Sequence, residues 1–489
     1  MNETPELRIH RANEGSVREE ARYVLYWMTA HRRLGWNFGL QRAVRWARDL
    51  SRPLVILEIL KVDYPYASHR LHRFMLDGMA ERRVELESRP VFHYPFVERE
   101  AGEGRGLLRA VAGDASVVVV DEFPTFILPE LARSAAQDLS ARVEVVDSNG
   151  LLPLRAVDRT FTAAYHFRRF LQKTLPEHLG AAPEADPLSL EIPDDPGAVG
   201  PEVLQRWPRM ALDQDLSELL SSLPVDASIP PSPHPGGTKA ARARLRDFLE
   251  YGLGRYHEDG NDPDEGAVSG LSPYLHFGNI ASHEIFAEVT SKEGWTPVRL
   301  ADKADGSRKG WWGMGEGAEA FLDQLVTWRE LGFNTAFHTD DYDRFEALPD
   351  WARETLADHE GNERPHLYSY QEFREARTHD DLWNAAQHQL LEEGVIHNYL
   401  RMLWGKKILE WSRSPREALE TMLDLNDRFA LDGRDPNSYS GILWCLGRYD
   451  RGWQERPVFG KVRSMSSDRT RKKVRLQEYL RRYGSKDRE

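Results

Sequence analysis

The sequence predicts an α/β domain built on a doubly wound parallel sheet, followed by an all-α domain. Three observations carry this prediction. In the first 150 residues short, nearly uninterrupted apolar runs alternate with amphipathic stretches, as strands buried on both faces alternate with the helices that cover them. From Pro176 to about Gly237 the composition turns to Pro, Asp, Glu, Ser and Gly. After Thr238 helical periodicity dominates and no convincing strand appears.

The strand runs are VLYWM (Val24–Met28), PLVILEIL (Pro53–Leu60), VFHYPFV (Val91–Val97), SVVVVDEF (Ser116–Phe123) and VEVVDS (Val143–Ser148), which make a five-stranded, Rossmann-like sheet. Helices over Asn37–Leu50 and Ser68–Leu86 connect them. Such sheets bind ligands beyond the carboxyl ends of their strands. However, no GxGxxG follows the first strand and no GxxxxGK precedes a Ser or Thr. The GEGRG at Gly102–Gly106 stands before a helix rather than in a first strand-to-helix turn, and reads as an ordinary loop. The stretch PEHLGAAPEADPLSLEIPDDPG and the later SIPPSPHPGG read as an interdomain connection, with a helical piece near Leu212–Ser222. The expected domains are therefore residues 1–175 and 238–489, joined by a linker at 176–237.

A chain of 489 residues exceeds one ordinary core. No apolar run reaches the roughly 20 residues of a membrane span, and the polar start MNETPELRIHRANEGS lacks a secretory apolar segment. The single cysteine, Cys445, excludes an intrachain disulfide and a thiolate metal cluster. A cytoplasmic protein is expected. The formal charge is −13, yet Arg456–Glu489 holds 12 Lys and Arg against 4 Asp and Glu. This asymmetry suits an acidic body with one basic docking face; a solvated basic helix explains it equally well.

Chemistry concentrates between Asp381 and Tyr439. Trp404 and Trp411 are seven apart, so they share one helix face about 10 Å apart, and Trp383 lies on the preceding helical segment. Tryptophan stripes usually pack cores. Here the stripe coincides with Arg401 and the polar string LNDRFALDGRDPN, and helices do not bury Arg and Asp unpaired. An Arg401–Asp432 pair beside a flavin could hold the charge of the reduced ring, with Asn426 or Asn437 on the ring nitrogens. SGLSPYLHFGNIASHEIF (Ser269–Phe286) leads from small and hydroxyl residues into a helix. That suits an anion, although ordinary capping accounts for it when taken alone. Tyr256 could close over the same anion. In FLDQLVTWRELGFN, Gln324 and Trp328 are four apart on one face beside Arg329. An amide next to an aromatic platform suits a flipped base, with Trp444 as an opposing wall; core packing of Trp328 is the plain alternative.

Taken in order, these motifs resemble the photolyase/cryptochrome family, and within it the class II cyclobutane pyrimidine dimer photolyases. The likeness runs from YWMTAHRRLGWNFGLQRA (Tyr26–Ala43) to PVFGKVR (Pro457–Arg463). It is strongest in LSPYLHFG, THDDLWNAAQ, LRMLWGKKILEW, LDGRDPN and GWQERPVFGK. The resemblance implies FAD, active as FADH⁻, folded within the helical domain. It assigns Tyr256, Ser269, Gly270, Leu271 and Ser272 to the phosphates. Arg401 and Asp432 fall beside the isoalloxazine, Asn426 near N5, and Asp435 and Asn437 in the same cofactor set. Trp404, Trp383 and Trp411 match the photoreduction relay, running in from the surface. Trp328, Met402 and Trp444 match the walls around a flipped dimer, and Asn398 falls where dimer photolyases carry asparagine and (6-4) photolyases histidine. Arg451 and Trp453 match residues that fill the gap left in the duplex, and Lys461 and Arg463 belong to the DNA-binding set. The implied reaction is light-driven electron transfer that splits a dimer in UV-damaged DNA, by a monomer; the antenna chromophore stays open.

One position departs from the family. Dimer photolyases place a glutamate where this chain has Gln324, and its carboxyl group binds the 5′ base. Glutamine keeps the length but not the acidic proton. A neighbouring carboxylate, Asp323, is expected to point about 100° away on the helix. A cryptochrome-like flavoprotein that senses blue light or binds DNA without efficient repair is the second reading, and a flavin-free nucleotide-binding or hydrolytic α/β protein the third.

Overall fold

The computed structural model describes residues 3–211 and 213–484. Leu212, at the head of the expected linker helix, and the last five residues of the basic tail lie outside the described residues. The chain divides into two compact units, each discontinuous in sequence. The first comprises Met1–Val157, Leu175–Arg244 and Leu271–Glu288; the second comprises Asp158–Thr174, Leu245–Gly270 and Val289–Glu489.

The five apolar runs form strands with ends within about a residue of those expected: β2 (Tyr23–Trp27), β3 (Leu54–Leu60), β4 (Phe92–Val97), β5 (Ala115–Glu122) and β6 (Arg142–Asp147). They pair in parallel. Among the described residues the sheet nonetheless has six strands, because Ile9–Arg11 (β1) adds to its edge and gives the order β1-β6-β5-β2-β3-β4. The extra strand, β1 (Ile9–Arg11), runs antiparallel to β6. Three partly exposed residues carry no buried-run signature, so a search for apolar runs passes over them. Alternate residues of each strand feed opposite cores. Leu25, Trp27, Val118 and Val120 pack on one side, and Val24, Tyr26, Val117 and Val119 on the other.

The helices Phe38–Asp49 and His69–Glu85 start where capping residues dictate. Asn37 Oδ1 accepts from Leu40 N and Ser68 Oγ from Leu71 N. The Pro-rich stretch is packed rather than free: Trp207 is 5% exposed, inside the same core as Trp27.

At the switch point between β2 and β5, where such a sheet would bind a nucleotide, the position is already filled. Asp121, near the end of β5, accepts from the amides of Thr29, Ala30 and His31, each at 2.9 Å, and from Tyr26 Oη at 2.6 Å. A carboxylate of the chain itself sits in the amide nest that a phosphate would need. This geometry is against the nucleotide-binding reading. The Gly102–Gly106 loop is likewise closed internally, with Gly104 N donating to Glu98 Oε1 at 3.0 Å.

The second unit is helical. After Thr238 the described residues contain no strand, only an isolated bridge between Arg456 and Gly460. The expected helix after Ser269 is two helices, Ser272–His276 and Ser282–Lys292. Gly278 breaks them at φ +71°, where a Cβ would lie 2.0 Å from Ala30 O, so only glycine fits this approach. No helix among the described residues is long and apolar enough to cross a membrane.

Candidate functional site

The tryptophan chain is built by two helices, Asp381–Glu393 and Asn398–Trp411. Asp380 caps the first, accepting from Leu382 N and Trp383 N, and Gly394 ends it at φ +77°. Trp383 Nε1 donates to Trp404 O at 3.0 Å, and Trp404 Nε1 to Gln387 Oε1 at 2.8 Å. Trp383 meets Trp411 edge to face, with centroids 6.1 Å apart. Trp383 therefore links the two residues that the seven-residue spacing placed on one face. Exposures of 0%, 2% and 2% for Trp383, Trp404 and Trp411 correct one expectation: the chain does not reach solvent at Trp411. Half-buried Tyr368 and exposed His379 lie between Trp411 and the surface, at 5.6 and 5.0 Å from its ring.

Two turns and more before Trp411, Arg401 Nη2 donates to both oxygens of Asp432, at 2.8 and 3.1 Å. The loop that presents Asp432 is held by a hub the sequence did not single out. Buried Asp427 accepts from Arg434 N, Tyr439 Oη and Asn426 Nδ2, and burial raises its pKa. Arg434, at φ +65°, donates to the carbonyls of Asp427, Ala430 and Leu431. The two asparagines separate here. Asn426 is 4% exposed and directs Nδ2 at Ser438 Oγ and Asp427 Oδ1, so what it can offer a ligand is its carbonyl oxygen. Asn437 is exposed. Asp435 caps the Pro436–Cys445 helix, accepting from Asn437 N at 2.9 Å.

Half-buried Tyr256 stands edge-on to Phe248 and Phe321. Burial, with Asp323 nearby, pushes its phenol up to about 12, so it stays a donor at neutral pH. Ser269 and Gly270 close a segment of the helical unit; Leu271, buried, and Ser272, exposed, open the next segment, which belongs to the α/β unit.

Gln324 and Trp328 lie in a π-helical turn, Asp323–Trp328, a local irregularity common at functional sites. Gln324 is the exposed residue in a turn whose other members are buried or half-buried. Asp323 is not available to stand in for the missing glutamate. It is 8% exposed and paired with Arg168, Nε to Oδ1 at 2.7 Å and Nη2 to Oδ2 at 3.1 Å. Trp328 and Trp444 stack at 4.3 Å and 16°. With no room for a base between them, Trp444 is not the expected opposing wall; the two rings form one double platform. Exposed Asn398 begins the Trp404 helix, and half-buried Met402 follows one turn on, its Sδ 3.9 Å from Cys445 Sγ.

Trp453, 43% exposed, is flanked by the guanidinium groups of Arg451 and Arg463 at 5.7 and 5.2 Å. Trp453 N donates to Lys461 O at 2.8 Å, and Arg456 and Gly460 exchange backbone bonds, which ties the loop into a hairpin. Several basic residues of the described tail beyond it pair with carboxylates of the chain. Arg471 pairs with Asp381, Arg475 with Asp259, Asp262 and Glu265, Arg481 with Glu478, and Arg482 with Glu393.

Sequence reasoning missed Gln387, Asp427, Arg434, Tyr368 and His379. For Gln387 and Asp427 the usable signal was a polar residue inside a helical stretch; Arg434, Tyr368 and His379 lie in connecting segments.

The helical unit thus holds three buried indoles on two hydrogen-bonded helices, one of which bears the Arg401–Asp432 pair, together with a half-buried stacked pair of tryptophans. No protein-family model matches the chain. It is 35% identical over 463 residues to the deoxyribodipyrimidine photo-lyase of Methanothermobacter thermautotrophicus, covering 94% of each chain. The chain belongs to the photolyase family. Two solved structures share its fold. A class III photolyase from Agrobacterium tumefaciens has TM-score 0.66 and 18% identity, covering 95% of this chain and 86% of that one. An archaeal photolyase from Sulfolobus tokodaii with two FAD molecules has TM-score 0.64 and 16% identity, covering 95% and 90%.

Proposed function

We propose that the protein is a light-dependent DNA repair lyase of class II type, acting as a cytoplasmic monomer on pyrimidine dimers with FAD as cofactor. The observation that carries this reading is the tryptophan chain, hydrogen-bonded into the same helix that bears Arg401 paired to Asp432. The residues present fit a flavin. Arg401 and Asp432 would supply charge to a reduced ring, Asn426 would offer a buried acceptor to a ring N–H, and Tyr256, with Ser269 and Gly270, would suit a diphosphate. When bound, FAD supplies light absorption and the electron that enters the dimer.

The chain's own groups bind and orient. Arg401, held by Asp432, keeps its positive charge fixed in a partly dry place, where charge acts more strongly than in water. Trp328 and Trp444 offer a flat double face to an extruded dimer of adjacent bases, and Gln324 and Asn398 offer amides to its edges. Extrusion is cheaper for a dimer, which is already poorly stacked. Trp453, between two arginines, is shaped to occupy the vacated duplex while Arg451, Lys461 and Arg463 meet phosphates. The full motif set, from LSPYLHFG to GWQERPVFGK, supports the class II assignment.

Gln324 favours a second reading, a cryptochrome-like flavoprotein that binds DNA with little repair. The deciding experiment illuminates reduced, FAD-loaded protein with a dimer-containing oligonucleotide. Dimer loss under blue light and not in darkness is the expected result; an unchanged dimer overturns the repair reading.

A further inference from the structure

We infer that the relay ends in a proton-coupled tyrosine: Tyr368 gives an electron to oxidised Trp411 as its hydroxyl proton passes to Nδ1 of His379. The inference rests on the relay reading above and deepens it by naming the proton acceptor.

Trp411 is a poor terminus. At 2% exposure it is closed to dissolved reductants, and Lys407 Nζ sits 5.1 Å from its ring centroid and donates to Glu410 Oε2 at 2.7 Å. An ammonium over an indole favours the neutral ring with its electron-rich face and disfavours a radical cation. Positive charge on Trp411 is thus pushed outward, and Tyr368 is the next oxidisable ring, edge-on at 5.6 Å.

A phenol yields an electron readily only if its proton has somewhere to go, because its radical cation is a very strong acid. The Tyr368 hydroxyl has such a place. Its oxygen lies 2.6 Å from His379 Nδ1 and already accepts from the backbone N–H of His379 at 3.0 Å. With an acceptor site of the oxygen taken by that amide, the hydroxyl hydrogen is directed at the imidazole. His366 stacks on His379 at 3.7 Å and 23°, holding the ring in place. Burial first, then His366 and Lys407, lower the pKa of His379, against Asp380 and Glu410, which raise it; it is therefore a neutral acceptor at pH 7.

The step balances. The Tyr368 O–H bond breaks and an N–H bond forms on His379; one electron moves to the Trp411 radical cation and restores neutral indole. A neutral phenoxyl radical and an imidazolium remain at the surface, where a dissolved thiol reduces the radical.

The test is transient absorption on full-length protein loaded with oxidised FAD. In wild type the indole radical signal should convert to a neutral tyrosyl signal, more slowly in heavy water. Tyr368→Phe should leave the indole signal without that conversion, and His379→Phe, which keeps a stacked ring, should slow it about 100-fold. Conversion that is insensitive to heavy water, or as fast in His379→Phe as in wild type, overturns the inference. Trp404→Phe separates the two levels: indole radical formation that survives this variant defeats the relay reading itself, whatever His379 does.

Discussion

Replacing Trp404 with phenylalanine tests the relay through two independent quantities. The indole N–H of Trp404 donates to Gln387 Oε1 at 2.8 Å, and Gln387 is 0% exposed. Phenylalanine removes the donor and leaves that acceptor dry, a cost of about 1–3 kcal/mol. The space left by the smaller ring adds about 1 kcal/mol. The bond from Trp383 Nε1 goes to the backbone carbonyl of residue 404 and survives the change. The variant should therefore fold, with unfolding free energy lower by about 2–4 kcal/mol, while losing the first stepping stone of the chain. Blue-light photoreduction of the FAD-loaded variant with a thiol donor, followed by flavin absorbance, should be abolished. Repair by chemically pre-reduced protein should persist, because dimer splitting does not draw on the relay. Photoreduction at the wild-type rate, in a variant destabilised by that amount, would refute the assignment of Trp404 and leave its role purely structural.

Three further outcomes are expected. Gln324→Glu changes an exposed side chain, so stability should shift by no more than about 0.5 kcal/mol, whereas repair yield per photon should rise; a fall would mean that the pocket is tuned for the amide. His31, His72 and His397 are buried, and desolvation lowers each to about 4. Between pH 6.5 and about 4 the unfolded chain then binds protons that the folded chain does not, so stability must fall as pH falls, by up to about 3 kcal/mol per histidine; urea midpoints that stay level across that window would contradict it. Arg463→Ala should lower the salt slope of DNA binding by about 0.9 for each phosphate that is no longer neutralised, while Arg475→Ala, taken from an internal ion-pair cluster, should leave that slope unchanged.

The sheet was legible because both of its faces are covered. Val117, Val118, Val119 and Val120 are each no more than 1% exposed, and a strand buried on both sides must be apolar throughout. β1 was illegible for the converse reason: at the edge, the sequence IHR needs only backbone bonds to β6. The tryptophan spacing could be read from helix geometry, since seven residues close about two turns. The bridge through Trp383 could not, because it depends on how two helices pack. The pairing of Asp323 with Arg168 joins residues 155 apart, and nothing local in DQLVTW marks it. The same holds for His379. A histidine next to Asp380 looks like part of a helix start, and only the fold brings Tyr368 Oη to its ring nitrogen.

The bonds that order the tryptophan chain are also bonds that the fold needs, and this limits how the protein can vary. Trp383 and Trp404 are nearly or fully buried, and each indole N–H must find an acceptor or destabilise the core. Trp383 finds it on the backbone of the Trp404 helix and Trp404 on Gln387, in the Trp383 helix. Satisfying the two donors therefore fixes the two helices against each other, and fixes the ring positions in the same act. At Trp411 the logic changes: Lys407, His379 and Tyr368 surround it, and these are polar or titratable groups. Inward of Trp411 the two indole donors are satisfied by hydrogen bonds within the dry core; outward of it the ring meets an ammonium, an imidazole and a phenol.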